Sequence, residues 1–420
     1  MEYSSNLRPP IKYSNDPREY GKLLFVSSIL FQVLTKCKPQ TLDGVSWKLG
    51  TCVPRELLGP SGILARTQKR LKTIYLKTAR HARHEVISLS AFKHLTSLSW
   101  LKVTTADMTQ VCLALRQNSL HLVSFELTGV ERSQEAATKL AELENKVTFP
   151  ALKDLSLGMW FPTEQVHKLS SVFPLSSLRS LQLRYCDSWQ DLLLWISNRR
   201  IVIGLKRFII SSIQPSDLAR KAYRENSGTS LITQSAATLH ALSVFIAAFS
   251  GLEELRIRCS FRLGNCLPLW HSTLGHCETL RRLLFTEEDH FITRDEVEAF
   301  GQMAGPPEGL LSELAVEFLE ICCTDFDSLK RLLSRGRIRN QIRILHHRTN
   351  RSDDVKKADT ASSSRDDLYP NSWPSLILFL SWAFDSDGPP LLEGIGYQNE
   401  GYCGYDSLTL LRKGKPSASS

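Results

Sequence analysis

No stretch of this sequence reads as a membrane span. One apolar run that could suggest it, LLFVSSILFQVL from Leu23 to Leu34, is too short to cross a bilayer and is broken by Ser27, Ser28 and Gln32. Wound into a helix, it places Ser28, Gln32 and Thr35 on one narrow polar stripe of an otherwise buried rod. The run begins 22 residues in, and no small-residue cleavage pattern follows it. A packing helix near 17–36 is therefore expected rather than a signal peptide. Paired cysteines are missing too. The ten cysteines are scattered, with no CxxC pair and no small-protein framework, which favours a reduced intracellular compartment, cytoplasmic and/or nuclear. An acidic excess is lacking. Lys and Arg outnumber Asp and Glu by 52 to 43, and the resulting +9 permits an acidic partner without by itself arguing for nucleic acid.

Catalytic and metal signatures are equally scarce. His346-His347 has no carboxylate at the spacing of a zincin and is expected as solvated surface. Cys259, Cys266, His271, His276 and Cys277 crowd one region, but their spacing fits no common zinc pattern, so a turn cysteine and loop histidines are expected. Asp385-Ser386-Asp387-Gly388 opens like a calcium loop, yet Pro389-Pro390 interrupts it and no Glu stands at the twelfth place. GPSG at 59–62 is neither a nucleophile elbow nor a phosphate loop. The expectation is no catalytic residue, no cofactor and no metal, hence a protein that is not an enzyme.

What the chain does have is a phrase that keeps returning, L-x-x-L-x-L with other apolar residues allowed at each L. It starts at Leu42, Leu71, Leu98, Leu122, Leu152, Leu178, Leu205, Leu252, Leu280 and Leu311, with a late copy at Leu392. Eight of the nine intervals among the first ten starts lie between 24 and 31 residues. The alternation within x-L-x-L is that of a strand with one buried face. Each phrase is followed by a segment of helical period. Met108, Cys112 and Leu115 share a face after a cap at Asp107, and Trp189, Leu192, Leu193 and Ile196 follow Asp187. Thr163 would cap a third such segment, with Val166, Leu169 and Phe173 inside. One strand and one helix cannot bury their own apolar faces, whereas stacked neighbours bury them in a continuous core.

LRSLQLRYC, residues 178–186, fits L-x-x-L-x-L-x-x-C at every position. The unit resembles a leucine-rich repeat, and this form is similar to the cysteine-containing subclass of F-box leucine-rich-repeat proteins, with irregular repeats like those of filamentous fungi. The resemblance implies an α/β leucine-rich-repeat solenoid, a horseshoe of one strand plus one helix per 24–31 residues and about 11–12 repeats. It departs at Gly158-Met159-Trp160, which replaces the Cys turn, and at Cys259, one position early. The expected organisation is an N-terminal segment with a capping helix at 1–41, and the solenoid at 42–345 with an insertion near 212–235. A disordered loop at 346–370, a last repeat with C-terminal cap at 371–412 and a disordered tail at 413–420 complete it.

Two segments invite sharper readings. Residues 66–84 are the most basic, but Leu71, Ile74 and Leu76 are expected as strand core with cations at the wet positions between them. VPRELLGPSGI from Val53 opens like an F-box, yet Gly59-Pro60-Ser61-Gly62 breaks it at once, and a loop between repeats is expected.

In such a solenoid the residues between the strand leucines project from the concave side as a recognition surface. Those expected to bind a protein partner are Asp154, Ser156, Ser180, Gln182, Arg184, Arg207, Glu254, Arg256, Arg258, Arg282, Glu313 and Glu317; Trp100, Lys102, Ser124 and Glu126 are the outward positions of the earlier repeats. The resemblance implies the substrate-binding half of an SCF-type ubiquitin-ligase receptor, with a Skp-type adaptor and cullin as partners only if an F-box lies upstream. The alternatives are a free-standing repeat scaffold and, behind it, a nucleic-acid binder using residues 66–84. No membrane partner is expected.

Overall fold

A computed structural model describes residues 17–78, 87–129, 134–144, 146–158, 165–184, 186, 189–199, 201–213, 229–259, 267–287, 312–322, 326–349, 372–401 and 404–411. The chain divides into two compact units, Met1–Glu131 with Phe149–Ala151, and Arg132–Thr148 with Leu152–Ser420. Each is a stack of parallel strands alternating with helices, an α/β solenoid of leucine-rich-repeat type.

In the first unit the order is α1 (Pro17–Lys36), β1 (Gly44–Trp47), α2 (Arg55–Leu58), α3 (Ile63–Thr67), β2 (Thr73–Lys77), β3 (Ser97–Val103), α4 (Met108–Asn118) and β4 (Ser124–Gly129). The four strands pair parallel in chain order, and their apolar residues stack in register: Val45, Ile74, Leu98 and Phe125 in one row, Trp47, Leu76, Trp100 and Leu127 in the next. Stacking matters energetically because each fully buried side chain of this size contributes about 1.5–3 kcal/mol. The α1 bounds are those expected, but the helix is not a buried rod. Phe25, Ile29 and Val33 are exposed. The stretch opening like an F-box is not a loop either. Its Leu57, Leu58, Ile63 and Leu64 are buried on the two short helices α2 and α3, which form the helical side of a repeat.

In the second unit the order is α5 (Gln134–Ala141), β5 (Asp154–Gly158), α6 (Val166–Val172), β6 (Ser180–Arg184), α7 (Trp189–Asn198), β7 (Arg207–Ile213), α8 (Thr229–Ala247) and β8 (Glu254–Cys259). It continues with α9 (Leu267–Leu274), β9 (Arg282–Glu287), β10 (Phe318–Cys322), α10 (Phe326–Leu333), α11 (Gly336–Gln341), β11 (Ile344–Thr349), α12 (Ser372–Phe384), β12 (Gly394–Gly401) and β13 (Gly404–Leu411). From β5 to β12 the strands are parallel. β13 turns back antiparallel on β12 as the last strand of the sheet, within the stretch 371–412 expected to hold the last repeat and a cap. The helix faces predicted around Cys112 and Trp189 are buried as expected, as are Leu169 and Phe173 of the third. Asp107 does not cap α4; its carboxylate accepts from the Thr104 amide and hydroxyl instead. Asp187 and Thr163, and the body of the insertion at 214–228, lie outside the described residues, as do 350–371 and 412–420.

The backbone marks the repeat frame independently of side chains. In every well-formed repeat the carbonyl of the second phrase residue accepts two successive amides of the next repeat. Lys153 receives Arg179 and Ser180, Arg179 receives Lys206 and Arg207, and Lys206 receives Glu253 and Glu254. This pattern corrects the frame in two copies. The strand of the copy begun at Leu98 is phased from Leu95, so that Leu98 and Trp100 both point inward. The copy begun at Leu311 is phased from Val316, with Arg281 receiving Glu317 and Phe318. It also reveals a further copy, Ile342-Arg-Ile-Leu345-His-His347, in which a histidine occupies the last inward position. His346 and His347 are therefore strand residues rather than part of a solvated loop, and His347 is 1% exposed.

Candidate interaction face of the second unit

With the frame fixed, the outward residues of β5–β12 form rows that cross the strands. The first row runs Asp154, Ser180, Arg207, Glu254, Arg282, Phe318, Ile344 and Gly394; the second runs Ser156, Gln182, Ile209, Arg256, Leu284, Glu320, His346 and Gly396. Arg184 and Arg258 lie one step further along their strands. The structure thus brings together most of the residues predicted to face a partner. Glu313 stands ahead of β10 and is not a strand residue, and Glu317 lies just before that strand; both follow from the phase shift of that copy. Trp100 is fully buried, its indole Nε1 donating to Thr78 Oγ1 at 3.2 Å. Ile209 and Leu284 are buried although they occupy the second row. The hydroxyl of Ser156 is buried without a hydrogen-bond partner among the described residues.

Apart from Glu317, the sequence reading missed a row ahead of the strands, formed by the second phrase residue itself. It runs Lys153, Arg179, Lys206, Glu253, Arg281, Glu317, Arg343 and Glu393. Because these carbonyls each hold the next repeat, the Cα positions advance at strand spacing and neighbouring side chains meet. Lys206 Nζ sits 3.1 Å from Glu253, Arg281 Nε 3.8 Å from Glu317, and Arg343 Nη2 2.6 Å from Glu393. Hydrogen bonding to Glu393, and its charge, hold the Arg343 guanidinium pKa above its ordinary value. The first row is paired likewise. Arg207 donates from Nε to Ser180 Oγ at 2.9 Å and from Nη2 to Asp154 at 3.3 Å, spanning three strands. Glu254 lies 4.0 Å from both Arg256 and Arg282, and the Arg282 guanidinium faces the Phe318 ring at 5.9 Å.

The two rows line a groove of about 560 Å³, within the range of ligand sites. Its charged lining is six cations (Arg179, Lys206, Arg207, Arg281, Arg282, Arg343) and five carboxylates (Asp154, Glu253, Glu254, Glu317, Glu393). A lining so nearly neutral lacks the unbalanced positive field that a phosphate backbone requires. Most of these pairs are exposed, so each contributes little to stability and remains available for exchange with a ligand.

Beyond the groove, the second row pairs His346 Nδ1 with Glu320 Oε2 at 3.2 Å. A Cβ on Gly396 would meet the His346 ring at 2.5 Å, so glycine there makes room for it. Among the described residues no group of three or more His, Cys, Asp or Glu could hold a metal ion. Of the crowded Cys/His region, His271 is not a loop residue but lies on α9, while His276 is in the turn after that helix with its ring buried between backbone groups. Cys186, the cysteine of the best-matching repeat, donates its thiol to the Leu157 carbonyl of the preceding strand at 3.2 Å. In the basic segment, Lys72 is paired with Asp43 at 2.9 Å, while 79–84 lie outside the described residues. Among the described residues no helix is long and apolar enough to cross a membrane.

No protein-family model matches the chain, and no curated protein matches it. Among solved structures it is similar to a chain of the crystal structure of the Rad7 and Elc1 complex in yeast, with a TM-score of 0.36 and 16% identity over 79% of this chain and 78% of that chain.

Proposed function

We propose that the chain is a non-enzymatic recognition module that holds a segment of another protein against the outward rows of its second unit. The observation that supports it is the charge-paired groove. Eight strands present ordered donors and acceptors of both signs in near balance, a surface matched to a polypeptide rather than to a polyanion or a small apolar ligand. The resemblance to F-box leucine-rich-repeat receptors extends the proposal. The held protein would be a substrate for ubiquitin transfer in the cytoplasm or nucleus, with a Skp-type adaptor and a cullin recruited only if an F-box lies upstream.

The test is site-specific photo-crosslinking in cells, with p-benzoylphenylalanine at Gln182 on the outward face or at Asp191 on α7. A polypeptide captured from Gln182 and not from Asp191 is expected. Equal capture at both positions, or nucleic acid captured from Gln182, would remove the reading. Reproducible absence of cullin and a Skp-type adaptor from the same purification would remove its ubiquitin part alone.

A further inference from the structure

The groove is balanced in total but not along its length. Every carboxylate lining it lies within 4.0 Å of a cation: Asp154 with Arg207, Glu253 with Lys206, Glu254 with Arg256 and Arg282, Glu317 with Arg281, Glu393 with Arg343. At the β5–β6 end two cations are left over, Arg179 of the lining and Lys153 beside it. Arg179 is exposed and Lys153 half-buried, and among the described residues neither has a carboxylate within ion-pair distance. They stand just ahead of the adjacent strands β5 and β6, joined by the Arg179 amide donating to the Lys153 carbonyl at 2.8 Å. Two like charges one strand spacing apart repel, and an anion placed between them relieves that repulsion.

The other end of the groove changes character. Phe318 and Ile344 replace the charged residues of the first row on the paired strands β10 and β11, Phe318 half-buried and Ile344 43% exposed. Between the two ends, the alternating ion pairs offer carboxylates to peptide N–H groups and guanidinium or ammonium donors to peptide carbonyls. We propose that this groove receives an extended segment of a partner protein laid across the strands, with an acidic side chain between Lys153 and Arg179 and an apolar side chain over Phe318 and Ile344. The inference rests on the protein-recognition reading above and names the chemistry of the partner. From the strand of Arg179 to that of Phe318 is four strand steps, about 19 Å at ~4.8 Å each, which an extended chain covers in roughly six residues.

The experiment is panning of a random dodecapeptide phage library on the full chain, with binding of the enriched peptides measured by fluorescence anisotropy. Enriched peptides should carry Asp or Glu with a large apolar residue roughly six positions away. Arg179→Glu, an exposed substitution checked for an unchanged melting temperature, should weaken them by about tenfold or more. The double variant Lys153→Glu, Arg179→Glu should instead select Lys or Arg at the acidic position. Failure to enrich any sequence, enrichment without an acidic residue or a fixed spacing, or equal binding by Arg179→Glu would overturn the proposal. Retention of a single-stranded oligonucleotide by the same two cations, with no peptide enriched, would overturn it in favour of a polyanion. If Gln182 captures a protein while the peptides show no acidic preference, this inference fails and protein recognition stands. If Gln182 captures none, the recognition reading itself fails.

Discussion

Nδ1 of His276 accepts the backbone amide of Leu252 at 3.2 Å, and Nε2 of the same ring donates to the Ile246 carbonyl at 3.0 Å. Leu252 is the first residue of its repeat phrase, so one side chain from the far end of the same repeat ties that residue to the end of α8. The same work is done elsewhere by different chemistry. Gln68 accepts the Leu42 amide and donates to the Lys38 carbonyl, and Asn118 accepts the Leu95 amide and donates to the Phe92 carbonyl. What recurs is one acceptor and one donor at fixed separation, which an amide or a neutral imidazole can equally supply.

Only the imidazole makes this latch depend on pH. Burial holds the His276 pKa below its ordinary value of 6.5, because a protonated ring would be desolvated, and the bond to the Ile246 carbonyl only partly opposes this. The unfolded chain titrates near 6.5, so below that pH the unfolded state binds a proton that the native state refuses. Stability from this group is therefore fully present above about pH 6.5 and is lost as pH falls toward the depressed native pKa, by at most about 1.4 kcal/mol per pH unit. Urea unfolding of the full chain between pH 7.5 and 5 should show this decline. His276→Asn, which copies the Asn118 arrangement, should flatten it. An equal decline in the variant would assign the pH dependence to other groups.

The repeat architecture was legible because leucine periodicity is what the core needs, and the core is one-dimensional: each strand leucine must meet its counterpart in the next repeat. The frame was less legible for a related reason. Around Leu98 the run LTSLSWLKV offers apolar residues in two phases, and only the pairing of Trp100 with Leu76 and Leu127 chooses between them. The repeat at Ile342 escaped notice because His347 fills an apolar position, packing on the Phe326 ring at 4.8 Å between centroids. The row ahead of the strands was hidden differently. Lys206 and Glu253 are 47 residues apart in sequence, across the insertion, and nothing local says that their side chains meet.

The frame correction at Trp100 has a direct consequence for stability. Lys102 is exposed, whereas Trp100 is fully enclosed and bonded to the buried Thr78 hydroxyl, which also donates to the Lys102 carbonyl at 3.1 Å. Trp100→Ala removes a large buried ring and leaves a cavity, and should cost about 3–5 kcal/mol in chemical unfolding. Lys102→Ala leaves those contacts in place and should change stability by less than about 0.5 kcal/mol. A Trp100→Ala variant as stable as the parent would return Trp100 to the outward face.

Gly336, at the start of α11, combines two constraints that can be separated by a control. Its φ of +66° lies in the left-handed region, and a Cβ added there would come within 2.4 Å of the Ser312 carbonyl oxygen. The neighbour is backbone and cannot rotate away as a side-chain tip would. Any L-residue must therefore bear the left-handed conformation and also displace the segment leading into β10. The first alone costs about 1 kcal/mol and the second adds to it, so Gly336→Ala should destabilise by roughly 2–4 kcal/mol. Gly204, with nothing within 4 Å of its Cβ direction and an ordinary φ, is the matched control. Gly204→Ala should be neutral or slightly stabilising, since alanine lowers the entropy of the unfolded chain by an amount worth about 0.4–1 kcal/mol. Parallel urea titrations of the two variants decide the matter. Equal midpoints would mean that the approach of Ser312 to Gly336 is not a feature of the folded chain.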